Sequence, residues 1–148
     1  MEDKNIKLKL IGKSIEDLKT ISAYLQDSIV TINDIIFLKT NKIFIIIVNR
    51  FMWEDAEKGL FRENKRIRCA VKFNRIFKVI SKNINQKKKD KILEFLAIET
   101  ILMNNSSYKI RLIFAGDSVI TVFAEEIDVY LDDLGQSWNV KKAPRHKI

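Results

Sequence analysis

The two side chains best suited to covalent or acid–base chemistry each occur once in this sequence, as Cys69 and His146. A cysteine thiolate can act as a nucleophile, and a histidine commonly serves as the general base. Cys69 lies in an apolar alternation with Ile67 and Val71, which predicts a buried, unreactive thiol. His146 lies in a basic segment near the last residue, where no pattern fixes its orientation. We therefore expect no catalytic residue, and the sequence favours a protein that is not an enzyme.

A group of acids near the carboxyl end is the one arrangement that suggests a metal. Its members are Glu125, Glu126, Asp128, Asp132 and Asp133. In a helix over residues 125–134, Asp128 and Asp132 would lie one turn apart on the same face, a spacing that suits a divalent cation. Acids at the start of a helix also interact favourably with its dipole. We favour the interaction with the helix dipole over a metal site, and we expect no metal and no cofactor.

Residues 49–54, Asn-Arg-Phe-Met-Trp-Glu, place a cation and two aromatic rings directly after an apolar run. Arg50 and Trp53 form a candidate binding site, because a guanidinium offers forked hydrogen bonds and an indole offers a stacking surface. In the alternative interpretation, Phe51 and Trp53 cover the edge of the core while Arg50 and Glu54 face water. The sequence favours this structural role over recognition.

A basic surface is the second candidate binding site. It comprises Arg66, Arg68 and Lys72 on one face of a predicted strand, continued by Lys78, Lys82 and the run 87–89. Together with the net charge of +8, this surface suggests contacts to nucleic acid or another polyanion. Two observations weaken the suggestion: Phe73 and Phe77 are predicted to face inward, and most of the positive charge comes from 20 lysines rather than from the 7 arginines.

The hydrophobic pattern predicts an α+β domain. An amphipathic helix is expected over residues 14–27, with Ser14 at its start, and a second over residues 125–134, ended by Gly135. Strands are predicted at 4–10, 29–32, 35–38, 43–48, 66–79, 108–115 and 119–123. Within 66–79, a bulge or bend at Asn74-Arg75 would keep the arginine out of the core. Residues 92–103 fit either a buried helix or a strand, and we favour a strand.

These elements predict a mainly antiparallel, strongly curved sheet or partly closed barrel with one helix at each end of the chain. This arrangement is similar to the pleckstrin-homology-like plan, a fold analogy that implies no function. The run 43–48, Ile-Phe-Ile-Ile-Ile-Val, is predicted to be a central strand covered on both faces. Residues 1–135 are expected to form one domain, followed by a basic tail over residues 136–148.

Composition indicates a globular cytoplasmic protein. The 148 residues are 47% hydrophobic and 31% charged, and no stretch approaches the roughly 18 consecutive apolar residues of a membrane span. We therefore expect no membrane insertion. A lone cysteine cannot form an internal disulfide, which fits a reducing compartment.

Four segments resemble a known bacterial family. They are residues 21–27 (Ile-Ser-Ala-Tyr-Leu-Gln-Asp), 49–54 (Asn-Arg-Phe-Met-Trp-Glu), 73–76 (Phe-Asn-Arg-Ile) and 132–138 (Asp-Asp-Leu-Gly-Gln-Ser-Trp). Proteins with these segments form a family of small domains of unknown function, found mainly in alphaproteobacteria. The resemblance extends over nearly the whole chain and implies one cytoplasmic bacterial domain, but it implies no activity, ligand or site residue.

The sequence therefore leads to three functional hypotheses. The first is a non-enzymatic cytoplasmic binding or scaffolding domain that acts through a protein partner. The second is a domain that binds nucleic acid or another anionic ligand through the basic strand and the lysine-rich loop. The third, and the least favoured, is a metal-dependent enzyme that uses the carboxyl-terminal acids.

Overall fold

Ten β-strands form a mostly antiparallel sheet in the computed structural model, which describes residues 7–56 and 64–140. The strands are β1 (Lys9–Gly12), β2 (Ile29–Thr31), β3 (Ile35–Leu38), β4 (Ile43–Phe51), β5 (Lys65–Phe73), β6 (Ile76–Lys82), β7 (Ile92–Leu102), β8 (Tyr108–Phe114), β9 (Ser118–Ala124) and β10 (Val129–Asn139). Helix α1 (Ile15–Leu25) follows β1, and the short helix α2 (Trp53–Ala56) follows β4. A 3-10 turn over Ile32–Asp34 joins β2 to β3. Within the described ranges, none of these helices is long and apolar enough to cross a membrane.

The order of hydrogen-bonded strands is β1-β10-β5-β4-β2-β7-β8-β9-β6, and β3 pairs with β4 beside β2. The order begins at β1 and ends at β6, so the sheet is open. The prediction of a strongly curved sheet or partly closed barrel is therefore wrong. An antiparallel sheet with an amino-terminal helix is confirmed.

The predicted carboxyl-terminal helix is also wrong, because its residues enter strand β10, which lies between β1 and β5. Val129, Leu131 and Asp133 point inward at alternate positions and are buried. The third of these is an acid, which concealed the alternation typical of a strand. Gly135, with φ 67°, lies where the pairing with β5 shifts register instead of ending a helix. Strand β10 continues past the predicted domain end at residue 135, and residues 141–148 lie outside the described ranges.

Helix α1 confirms the helix predicted over residues 14–27. The Ser14 side chain accepts a hydrogen bond from the Asp17 amide at 3.1 Å, which caps the first turn. Leu18, Ile21 and Leu25 form its buried face. They belong to the same hydrophobic core as strands β4, β5, β8 and β9.

Two further predictions concern the strands between residues 66 and 103. Residues 92–103 form a strand, β7, as favoured. The chain bends at Asn74-Arg75, one of the two alternatives predicted there. Residues 66–79 belong to two strands rather than to one, since β5 pairs with β4 and β10 whereas β6 pairs with β9. Arg75 lies between them in a left-handed conformation, with φ 60°, and remains exposed.

In the part of the chain that the structure describes, only one face of strand β4 is fully covered. Phe44, Ile46 and Val48 are at most 1% exposed and pack in the core. The alternate residues Ile43, Ile45 and Ile47 point to the other face and are only half-buried. Among residues 7–56 and 64–140, the expectation that this strand is fully covered on both faces is therefore wrong.

Cys69 is fully buried on the inner face of β5, opposite Val48. Burial, followed by the nearby negative charge of Asp133, raises the pKa of its thiol. We predict that a thiol reagent such as Ellman's reagent modifies Cys69 slowly in the native protein and rapidly in denaturant. Rapid native modification, followed as absorbance against time at neutral pH, would show that the thiol is accessible and contradict this packing.

Candidate functional site

Arg50 occupies the last inward position before the end of β4, and its side chain is fully buried. Its Nε donates to Asp133 Oδ1 and its Nη2 donates to Asp133 Oδ2, both at 2.8 Å. Asp133 lies on the inner face of β10, and its side chain is also fully buried. The two residues form a bidentate pair across β5, the strand between them.

A second carboxylate, Glu54 of α2, binds the same guanidinium. Arg50 Nη1 donates to Glu54 Oε1 at 2.9 Å, and Nη2 donates to Glu54 Oε2 at 2.6 Å. Burial disfavours the charge on Arg50, but the hydrogen bonds to Asp133 and Glu54 outweigh burial, so the pKa of Arg50 is raised. The Tyr24 ring of α1 lies 5.9 Å from the guanidinium carbon. Arg50 is therefore permanently charged and paired on two sides.

Asp133 extends this network to the first strand. Its Oδ2 accepts a hydrogen bond from the Leu8 amide at 2.9 Å, and its own amide donates to the Leu8 carbonyl at 3.0 Å. The network thus joins β4, β10, α2 and the residue that precedes β1. One interpretation of the sequence expected Arg50 to face water, and this is wrong because the side chain is fully buried. Arg50 holds elements of the fold together and is not available to a ligand.

Trp53 combines a structural contact with an accessible surface. Its Nε1 donates to the Gln26 carbonyl at 2.9 Å, and its ring meets Phe51 edge-on with centroids 4.6 Å apart. The side chain is half-buried and lines a groove of about 680 Å³ together with Tyr24 and Ala23 of α1. Both interpretations of Trp53 therefore have a physical basis: one edge is fixed in the fold and the other faces an open groove.

The predicted basic surface is only partly available. Arg66 Nη1 donates to the Asn49 carbonyl at 3.0 Å, and its guanidinium lies over the Phe51 ring at 5.9 Å. Partial burial lowers the pKa of Arg66. Arg68 and Lys72 remain exposed, but Arg68 lies 3.5 Å from a carboxylate oxygen of Asp34. Because β5 and β6 are not neighbours in the sheet and share no neighbouring strand, the charges of β6 do not lie beside those of β5.

The carboxyl-terminal acids do not form the expected pair. Asp128 and Asp132 lie along an extended chain rather than one helical turn apart. Asp128 is held by the Lys13 ammonium and by Asn74, and the hydrogen bond from Lys13 lowers the pKa of Asp128. Across residues 7–56 and 64–140, three or more His, Cys, Asp or Glu side chains nowhere gather in an arrangement that could hold a metal.

An apolar surface near these residues was not identified as a site from the sequence. It comprises Ile36 and Leu38 of β3 with Ile43, Ile45 and Ile47 of β4, and we refer to it as the outer isoleucine face. Ile36 lies opposite Ile45, and Leu38 lies opposite Ile43, so the five side chains share one face of the sheet. Ile36 and Leu38 are 41% and 43% exposed. The sequence signal was the run 43–48, which is apolar at inward and outward positions alike.

Comparison with known proteins identifies the family. A family model described as "Protein of unknown function (DUF2948)" matches residues 8–146. The chain belongs to this family. The match covers nearly the whole chain and confirms the resemblance seen in the sequence. No curated protein and no solved structure matches the chain.

In this DUF2948 protein, Arg50→Met should lower the free energy of unfolding by about 3–5 kcal/mol, because two carboxylates lose their buried partner. The matched control is Arg68→Met, which removes an exposed pair with Asp34 and should cost less than about 1 kcal/mol. Urea unfolding followed by circular dichroism measures both. Equal, small losses for the two variants would show that the buried network does not form in solution.

Trp53→Phe and Trp53→Ala separate the hydrogen bond of Trp53 from its packing. Trp53→Phe removes the bond to the Gln26 carbonyl and should destabilise the DUF2948 domain by about 1 kcal/mol. Trp53→Ala also removes the contact with Phe51 and should cost about 3 kcal/mol. If neither variant shifts the urea midpoint, Trp53 does not stabilise the fold, and its position beside the groove is the only feature left to explain it.

Proposed function

We propose that this DUF2948 protein is a non-enzymatic cytoplasmic binding domain whose protein partner packs on the outer isoleucine face. The observation that carries the proposal is the difference between the two faces of β4. Ile46 on the inner face is 0% exposed, whereas Ile43, Ile45 and Ile47 on the outer face are only half-buried. A strand that is isoleucine-rich on both faces is typical of a sheet covered on both sides.

The neighbouring strands support an interface at this face. On β5, Ala70 lies directly beside Ile47, so the apolar surface continues with a small side chain that leaves room for a partner. On the other side, Ile36 and Leu38 of β3 extend it to the edge of the sheet. Contiguous apolar surface of this kind on a soluble protein commonly marks an interaction site.

The charges around the outer isoleucine face indicate the chemistry of the partner. Lys72 lies beside Ile45, and its ammonium lies 5.4 Å from the centre of the Tyr130 ring. Arg68 extends the positive edge one position beyond Ala70 along the same face of β5. A partner with an apolar centre and carboxylates at its edge would complement this surface.

Binding of nucleic acid or another polyanion is the second candidate, and it rests on the net charge of +8 and the exposed loop residues 87–89. It receives less support from the geometry than the protein partner does. Arg66 binds backbone carbonyls, so only two of the three predicted β5 cations face solvent.

Site-specific photo-crosslinking tests the proposal. Benzoylphenylalanine would replace Ile45 on the outer isoleucine face in one variant. In the matched control it would replace Ile101, an isoleucine of β7 that is 42% exposed. After irradiation in cells that naturally contain the protein, we expect a discrete crosslinked product from position 45 and none from position 101. Adding Ile47→Lys to the position 45 variant should abolish the product while the melting temperature stays within a few degrees.

Three results would contradict a protein partner at this face. They are crosslinking of equal strength from both positions, no product from position 45, and a product from position 45 that persists with Ile47→Lys. Mass spectrometry of the product would identify the partner. A product made of two copies of the chain would show that this face mediates self-association and does not bind a separate protein.

A further inference from the structure

A cleft separates two strands that are not paired with each other. Strand β3 pairs with β4, and strand β6 pairs with β9. At one end the strands are drawn together, because the Ile76 amide donates to the Lys42 carbonyl at 2.8 Å. At the other end the loop before β7 returns to the 3-10 turn, where the Asn33 amide donates to the Lys89 carbonyl at 3.0 Å. The space between them has a volume of about 300 Å³.

The walls and floor of this cleft are apolar. Ile35 and Phe37 of β3 form one wall and Val79 of β6 forms the other, and all three side chains are only half-buried. Phe44 and Ile120 form the floor and are fully or nearly fully buried in the core. The floor of the cleft is thus part of the hydrophobic core, and the space above it is lined largely by hydrocarbon.

Polar groups lie at the loop end of the cleft. Gln86 Nε2 donates to Ser81 Oγ at 3.2 Å, and both side chains line the space. Lys89 lines it as well and carries an ammonium group. Its loop neighbours Lys87 and Lys88 are exposed and raise the local positive potential. The cleft therefore combines an apolar interior with hydrogen-bond donors and a cation at one end.

We propose that this cleft binds a small amphiphile, a medium-chain carboxylic acid. Its hydrocarbon chain would lie between Phe37 and Val79, and its carboxylate would lie at Lys89 and Gln86. The volume is at the lower end of the range for small-molecule sites, about 300–1,000 Å³. An extended peptide fits less well, because the Ile76–Lys42 hydrogen bond and the loop close both ends of the gap.

The site is independent of the proposed partner surface. Ile35 and Phe37 point into the cleft, whereas Ile36 and Leu38 point to the outer isoleucine face on the opposite side of β3. Failure of ligand binding would therefore leave the proposed protein partner unaffected, and failure of the crosslinking experiment would leave the cleft unaffected.

Isothermal titration calorimetry with decanoate, kept below its critical micelle concentration, tests the proposal. We expect one saturable site with a micromolar Kd on the full chain. Decanol, which has the same chain without the charge, should bind about fivefold more weakly, the change expected when one exposed charge pair is lost. In spectra of isoleucine methyl groups, decanoate should shift Ile35 and Ile120 before any isoleucine of the outer face.

Two loop variants and one cleft variant give the controls. Lys89→Met should weaken decanoate binding about fivefold and leave decanol binding unchanged. Lys87→Met, in the same loop but outside the cleft lining, should weaken decanoate binding much less and leave decanol binding unchanged. Val79→Phe should fill the cleft and abolish the methyl shifts of Ile35, with a thermal melt showing that the domain remains folded.

The proposal is overturned by any of three results. The first is the absence of saturable decanoate binding. The second is equal weakening by Lys87→Met and Lys89→Met, which would show attraction to the loop charge alone. The third is undiminished binding to a folded Val79→Phe protein.

Discussion

The buried ion pair between Arg50 and Asp133 determines which residues of the sheet face inward. Side chains alternate along a strand, so a slip of one residue would move every inward side chain of β4 to the outer face. Such a slip would also separate Arg50 from Asp133 on β10 and leave the Asp133 carboxylate unpaired in the core, which is strongly unfavourable. The pair therefore fixes the register of β4 and β10 against β5. It also decides that Ile43, Ile45 and Ile47 face outward.

The same pair explains the largest errors of sequence-based prediction. The helix of residues 15–25 and the strand of residues 35–38 could be predicted, because each carries a local periodicity or turn signal. Strand β10 could not, since Asp133 occupies an inward position where the alternation requires an apolar residue. Arg50 was likewise expected to face water because it is charged. Its partner lies 83 residues away, and no local pattern connects them.

Candidate sites were predictable only in part. The sequence indicated Arg50, Trp53, Arg66, Arg68 and Lys72 as binding residues. The structure places all three of these guanidinium groups near partners within the fold, and only that of Arg68 stays exposed. The outer isoleucine face was visible as an apolar run, but its exposure depends on whether another element covers it. The cleft was not visible at all, because strands β3 and β6, which form its walls, each pair with a different strand.

The central claim is that, among the residues that the structure describes, strand β4 has one fully buried face and one half-buried face that a partner can reach. Paramagnetic relaxation of isoleucine methyl groups by a soluble gadolinium chelate measures this directly. For a dilute, monomeric sample, we predict strong relaxation at Ile45 and Ile47, close to that of the exposed Ile36, and almost none at Ile46. Equal protection of Ile45 and Ile46 would show that the chain already covers both faces, and it would contradict the interface that we assign to the outer one.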